Sequence, residues 1–155
     1  MNIFKQFDDI LGSSLSDNTN IVKKFEDQLH IYEEKSRKNP NNLMYQEEVY
    51  NYQILVETAN NMNYNEDTYS GVEAAIILTM LRSNAVVQID SNLHSGEYKH
   101  KYWQRPGFYP GYIWVNEETK HSFDDNISAT LSQLGLISGG KINNSNNATV
   151  KIIQK

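Results

Sequence analysis

Apolar residues are most concentrated between positions 70 and 89, in the segment SGVEAAIILTMLRSNAVVQI. Its first part is apolar on nearly every side, which is typical of a helix enclosed by neighbouring elements. Ser70 followed three residues later by Glu73 predicts a capping box at the start of this helix. Residues 86–89 are rich in β-branched side chains and favour a strand. We therefore expect a buried central helix that leads directly into a strand of the core.

Two amphipathic patterns precede this helix, and in both the apolar residues recur at alternating spacings of three and four. They predict helices over about 21–37 and about 43–61. The first seam consists of Val22, Phe25, Leu29 and Tyr32, and the second of Tyr45, Val49, Tyr52, Val56 and Ala59. Because a short Asn39-Pro40 turn separates the helices, we expect an antiparallel helical hairpin. The same seams would also allow the hairpin to form a homo-oligomer.

After residue 90 the pattern changes to short strands, turns and one further amphipathic helix. Residues 112–115 and 149–153 are predicted strands. Ser122 and Asp125 predict a cap that opens the helix. Gly135 predicts the end of that helix, because glycine readily adopts the left-handed conformation of a helix C-terminus.

These patterns predict an α+β fold in a single domain, residues 1–155. It would contain an N-terminal antiparallel helical hairpin and a central buried helix, followed by a small antiparallel sheet with one packed helix. The helical part would cover residues 1–62, and the α/β core would cover residues 70–155 with an aromatic loop at 98–112. A chain of 155 residues can bury such a core without disulfides.

Composition narrows the chemistry that this fold can carry. The chain lacks cysteine, which excludes disulfides, thiol nucleophiles and cysteine-bound metals. Its formal net charge of −5 argues against nonspecific attraction to nucleic acid or anionic lipid. No apolar run approaches the roughly 18 residues of a membrane span, and acidic residues interrupt the N-terminus where a secretory signal would be apolar. We therefore expect a cytoplasmic protein that uses no cofactor and binds no membrane.

Two histidines and two carboxylates lie close together in sequence, at Asp90, His94, Glu97 and His100. Such a set could surround a divalent metal, and His94, Glu97 and His100 could form a general acid–base group in a hydrolase or nuclease. No established zinc or hydrolase signature has this spacing. The sequence therefore keeps an enzyme as an alternative, and its main interpretation assigns neither a metal site nor a catalytic residue.

The segment YWQRPGFYPGY, residues 102–112, combines aromatic side chains with two Pro-Gly turns and one arginine. Its candidate binding residues are Tyr102, Trp103, Arg105, Phe108, Tyr109 and Tyr112. Rigid aromatic rings beside an arginine are typical of contact surfaces for protein partners. The same rings could stack on a nucleotide or another small ligand, with Arg105 on a phosphate. A third interpretation is a loop that folds over the sheet and covers the core.

The C-terminal segment NISATLSQLGLISGGKINNSNNATVKIIQ resembles the last helix and wing of a winged helix-turn-helix. That resemblance implies DNA binding, with the helix in the major groove. The candidate recognition helix lacks Arg and Lys, and Asp124 and Asp125 lie at its start, whereas phosphate contacts require cations. The sequence therefore disfavours nucleic acid as a partner.

The main interpretation is a small acidic, non-enzymatic binding protein of the cytoplasm. Its partner would be another protein, as for an inhibitor, an immunity protein or a phage accessory factor. The alternatives are a sensor or sequestering protein for a nucleotide-like ligand, a winged-helix DNA-binding protein, and a hydrolase or nuclease.

Overall fold

The computed structural model describes residues 18–144 and 147–155, so the first part of the predicted helical region lies outside the described residues. In chain order its elements are α1 Asn18–Lys38, α2 Leu43–Asn61, β1 Thr68–Ser70, α3 Gly71–Met80, β2 Val86–Asp90, β3 Ser95–Trp103, β4 Gly111–Val115, β5 Ser122–Asp124, α4 Ile127–Gln133, β6 Ile137–Ser138, β7 Lys141–Ile142 and β8 Thr149–Gln154. Helices followed by an antiparallel sheet confirm the α+β fold.

The two N-terminal helices close on each other as the predicted antiparallel hairpin. The Tyr32 ring of α1 stacks on Tyr52 of α2 at a centroid distance of 5.8 Å and tilts against Tyr45 at 6.3 Å. Phe25, earlier in α1, contacts Tyr52 at 6.3 Å, so partners run in opposite directions along the two helices. The side-chain oxygen of Asn42 accepts the backbone N–H of Tyr45 and caps α2. Aromatic stacking along the seam therefore fixes the hairpin within one chain.

The central helix α3 is buried along nearly its whole length, as its apolar sequence predicts. The predicted capping box at its start is wrong, because the Ser70 side chain makes no capping hydrogen bond. Ser70 instead pairs with Thr149 as the last residue of β1. Gly71 then turns the chain into the helix with φ +59°, and its N–H donates to Ala148 O at 2.9 Å. The first backbone N–H of the helix is thus satisfied by the residue that precedes β8.

The main sheet has six strands in the order β1-β8-β2-β3-β4-β5, and all its pairings are antiparallel. Its inner residues join those of all four helices in one apolar core, so the helices cover one face, which we call the helix face. The other face, which we call the open face, carries charged side chains such as Glu97 and Lys99. Sequence patterns missed β1, β3 and β5. In β3 the buried residues Tyr98 and His100 alternate with charged ones, a pattern typical of a strand that is solvated on one side.

The predicted cap at Ser122 is also wrong, because residues 122–124 form β5. The helix α4 begins later, where the Asn126 side-chain oxygen accepts the N–H of Ala129 at 2.8 Å. Its end agrees with the prediction. Gly135 has φ +74°, and the Leu136 N–H donates to Leu131 O at 2.9 Å, which is the long bond of a Schellman motif.

The predicted wing consists only of the two-residue strands β6 and β7, while β8 lies inside the main sheet between β1 and β2. The small hairpin is held by the buried side chain of Asn51 in α2. Asn51 Oδ1 accepts the Ile142 N–H at 2.8 Å, and Asn51 Nδ2 donates to Gly140 O at 3.0 Å. The C-terminal segment therefore serves the core and the helical hairpin rather than projecting as a wing.

Candidate functional site

The β3–β4 hairpin extends beyond the strands on both of its sides. Towards β2, the last contacts are those of His100, whose N–H donates to Ala85 O and whose oxygen accepts from Asn84 N–H, both at 2.8 Å. Towards β5, the last contact is a bond from Asp125 N–H to Tyr112 O at 3.1 Å. In residues 101–112, which we call the aromatic arm, the strand pairing is therefore that of the β3–β4 hairpin alone, from Lys101↔Ile113 to Trp103↔Gly111.

Aromatic side chains lie on both faces of the aromatic arm. Tyr102 and Tyr112 are paired across the two strands on the helix face, with ring centroids 5.3 Å apart in an edge-to-face arrangement. Trp103 lies on the open face, because side chains alternate along a strand. Phe108 and Tyr109 belong to the connecting loop. The exposed fractions are 58% for Tyr102, 44% for Trp103, 66% for Phe108, 96% for Tyr109 and 47% for Tyr112.

Arg105 fixes the loop of the arm against the open face. Its Nη2 donates to Asp124 Oδ1 at 3.0 Å, and Asp124 is the register partner of Ile113 in β5. The guanidinium carbon lies 4.8 Å from the Phe108 ring centroid and 5.7 Å from that of Trp103. These contacts hold two exposed rings around one cation. Arg105 Nε is buried and has no partner within the described residues.

The base of the arm rests on a buried imidazole. The His100 ring lies between Tyr112, which stacks on it at 5.0 Å, and Trp114, whose centroid is 4.8 Å away. His100 Nε2 and Asp125 Oδ2 are 2.6 Å apart, and their side chains are only 4% and 10% exposed. Trp114 is itself anchored, because its Nε1 donates to Leu78 O of α3. A continuous line of rings therefore connects the exposed Tyr112 to the central helix.

The structure separates the four residues of the predicted histidine–carboxylate cluster. Alternation along β2 and β3 places Asp90 and Glu97 on the open face and His100 on the helix face. His94 lies in the turn before β3, where its Nδ1 is 2.7 Å from Tyr98 Oη. Its other ring nitrogen, Nε2, is bonded to the Gln133 side chain of α4. His94 is therefore bonded at both ring nitrogens, whereas His100 is bonded at Nε2 only and its buried Nδ1 has no partner within the described residues.

The part of the chain that the structure describes contains no cluster of side chains suited to bind a metal ion. No three His, Cys, Asp or Glu side chains converge there as ligands could. None of the helices between residues 18 and 144 or in 147–155 combines the length and hydrophobicity needed to cross a bilayer.

Sequence patterns identified the rings of the arm but missed the residues that support it. Asp124 and Asp125 were assigned to a helix start, whereas one binds Arg105 and the other binds His100. The sequence signal that could have revealed this support was Trp114 in a predicted strand, because a buried indole must pack against other side chains and needs an acceptor for its N–H.

Comparison of the chain with protein-family models, curated proteins and solved structures gives no significant match.

Proposed function

We propose that this protein acts by binding another protein through the aromatic arm. It would work in the cytoplasm as a non-enzymatic factor of the inhibitor, immunity or phage-accessory type. The observation that supports this proposal is the arm itself, on which five large aromatic side chains are exposed and two of them, Trp103 and Phe108, lie against an arginine that is bonded to Asp124. Tyrosine, tryptophan and arginine are the residues that contribute most to binding energy in protein interfaces.

Exposing these rings to water is unfavourable, because burial of apolar surface lowers the free energy. Isolated exposed apolar residues are ordinary, whereas a contiguous group marks a contact surface. The rings of the arm form two such groups, one on each face, since Tyr102 contacts Tyr112 on the helix face and Arg105 contacts both Trp103 and Phe108 on the open face.

The arm is also held in place before any partner arrives. Arg105 ties the loop to Asp124, and the His100 ring supports Tyr112 from below. A surface that is ordered in advance loses less conformational entropy on binding, which favours affinity. This arrangement supports a role in recognition rather than in packing of the core.

The test is native mass spectrometry of the protein recovered gently from its own host. We expect a protein-sized partner that remains bound to the parent chain and is lost from the double variant Trp103→Ser, Tyr109→Ser. Leu43→Ser is the matched control, because Leu43 is an exposed apolar residue at the start of α2, outside the arm. A partner retained by the arm variant would refute the proposal. A small-molecule mass that disappears with the arm variant would support the nucleotide-like ligand instead.

A further inference from the structure

We infer that the partner is a protein with a cleft whose walls close on both faces of the aromatic arm and whose rim carries carboxylates. This inference rests on the proposed function and specifies the kind of partner. It follows from the distribution of rings on the arm, from its projection beyond the sheet and from its charge.

The rings of the arm cannot all be buried against a flat surface. Tyr102 and Tyr112 point to the helix face, whereas Trp103 points to the open face. Phe108 is held near Trp103 by the shared guanidinium of Arg105. A flat partner would cover one pair and leave the other in water. Only walls on both sides of the hairpin would bury both pairs.

The projection of the arm sets the depth of this cleft. Three residues of β3, Lys101 to Trp103, extend past the last contact with the chain that leads into β2. At about 3.3 Å per residue they reach roughly 10 Å, and Arg105 ties the loop back to Asp124 of β5. Tyr109 lies in that loop and is almost fully exposed, so it would lie within the cleft.

The charge of the arm indicates the chemistry of the rim. Residues 101–112 contain two cations, Lys101 and Arg105, and no carboxylate, in a chain whose net charge is −5. Their neighbours Glu117 and Asp124 lie outside the arm and are more than half exposed, so a partner carboxylate could approach the same two cations from solvent. Within the described residues, Asp124 is the one acceptor bonded to Arg105. A partner carboxylate could also accept hydrogen bonds from the guanidinium of Arg105, because guanidinium groups favour bidentate contacts with carboxylates.

The test installs the photo-crosslinker p-benzoylphenylalanine on either face of the arm, as Tyr102→p-benzoylphenylalanine or Trp103→p-benzoylphenylalanine. The tip variant Tyr109→p-benzoylphenylalanine serves as a further site, because an almost fully exposed ring can be replaced without disturbing the fold. The complexes are irradiated in extract of the host, and the crosslinked peptides of the partner are sequenced. We expect both faces to label one identified protein, on opposite walls of a single concave site.

The outcomes separate the inference from the proposed function. Labelling from one face only, in a complex that Trp103→Ser still abolishes, would overturn the cleft and leave protein binding in place. A complex that survives both Trp103→Ser and Tyr109→Ser would overturn the proposed function itself. Crosslinks to nucleic acid would overturn both.

The acidic rim is tested by reversing one charge of the arm. Lys101→Glu should weaken the complex several-fold at low salt, with a smaller loss at high salt, because rim charges act mainly through long-range attraction. Lys99→Glu is the matched control on the same strand, outside the arm. Equal effects of the two substitutions would overturn the acidic rim.

Discussion

His100 Nε2 lies 2.6 Å from Asp125 Oδ2, and this contact joins the base of the aromatic arm to the turn that precedes α4. The same histidine supports Tyr112 by stacking, and Tyr112 O accepts the backbone N–H of Asp125. The three residues therefore form a closed set of contacts between β3, β4 and the turn. This set links a buried polar pair to a surface that we propose binds a partner.

The first prediction concerns this pair. Asp125→Ala leaves the His100 ring buried without its acceptor, so it should lower the free energy of unfolding by about 1–3 kcal/mol. The measurement is urea denaturation at neutral pH. Asp124→Ala is the matched control, because Asp124 is exposed and its ion pair with Arg105 should contribute less than about 1 kcal/mol. An equal loss of unfolding free energy in the two variants would show that the buried contact stabilises the fold no more than the exposed ion pair does.

The second prediction concerns Asn51, which bonds the β6–β7 hairpin to α2. Asn51→Asp keeps an acceptor for the Ile142 N–H but removes the donor to Gly140 O. It also places a carboxylate beside Glu48, which Asn51 Nδ2 contacts at 3.2 Å. We expect a loss of stability on the order of 2 kcal/mol. Residue 51 can still accept the Ile142 N–H, but the destabilised hairpin should open more often, so we also expect faster hydrogen exchange of that amide.

Asn60→Asp provides the control for this substitution, because Asn60 is an exposed residue of the same helix. It makes the same change of charge without a buried contact, so its effect should stay within about 0.5 kcal/mol. If the Ile142 amide exchanges no faster in Asn51→Asp than in Asn60→Asp, the bond from Asn51 Nδ2 to Gly140 O does not hold the hairpin.

The third prediction concerns stability at alkaline pH. Burial raises the pKa of Tyr64 from its usual value of 10 to about 12, with smaller contributions from Tyr69 and Glu73. Between these values the unfolded chain loses the phenol proton and the folded chain keeps it. Stability from this group is therefore fully present below pH 10 and is lost as pH rises towards 12. Tyr64→Phe should make the decline of the unfolding free energy above pH 10 less steep.

The pH dependence of Tyr64→Phe must be separated from the loss of a hydrogen bond. Tyr64 also donates its hydroxyl to Ala59 O, so Tyr64→Phe lowers stability at every pH, and the informative quantity is the slope. Tyr109→Phe is the control, since its ring is exposed and its hydroxyl meets water in the folded and unfolded chain alike. An unchanged slope for Tyr64→Phe would contradict the assigned environment.

The helical hairpin could be predicted from sequence because its information is local. Tyr32, Tyr45 and Tyr52 lie on seams that any helix of that sequence would present, and the Pro40 turn leaves the two helices as neighbours. The Schellman end at Gly135 is equally local. These features need no knowledge of the rest of the chain.

The support of the candidate site could not be predicted, because it depends on the register of three strands. His100 meets Asp125 only when β3 pairs with β4 and β4 pairs with β5 in the observed register. A shift of one residue would turn His100 to the open face. The capping box at Ser70 failed for a related reason, since Ser70 pairs with Thr149 of β8 and Ala148 O accepts the Gly71 N–H. The aromatic composition of the arm could be predicted from the sequence, whereas its projection beyond the sheet and the distribution of its rings over two faces could not.

The last prediction separates a recognition surface from a lid over the core, using the two tryptophans. Trp114 is fully buried and donates to Leu78 O, so Trp114→Phe should lower the free energy of unfolding by an amount on the order of 2 kcal/mol. Trp103 is 44% exposed on the arm. Trp103→Phe should therefore change stability by less than about 0.5 kcal/mol. The same pair of variants reports by fluorescence, since Trp114 alone should emit at shorter wavelength than Trp103 alone.

The comparison is decisive because the two indoles are exchanged for the same residue on neighbouring strands of one hairpin. A recognition surface can lose an aromatic ring with little effect on folding. A lid over the core cannot, because its rings are buried in the folded chain and that burial stabilises the fold. If Trp103→Phe costs as much stability as Trp114→Phe, the arm packs against the protein itself, and its rings are part of the fold. If Trp103→Phe leaves the unfolding curve in place, stability does not account for the ring, and a contact with another molecule remains as its role.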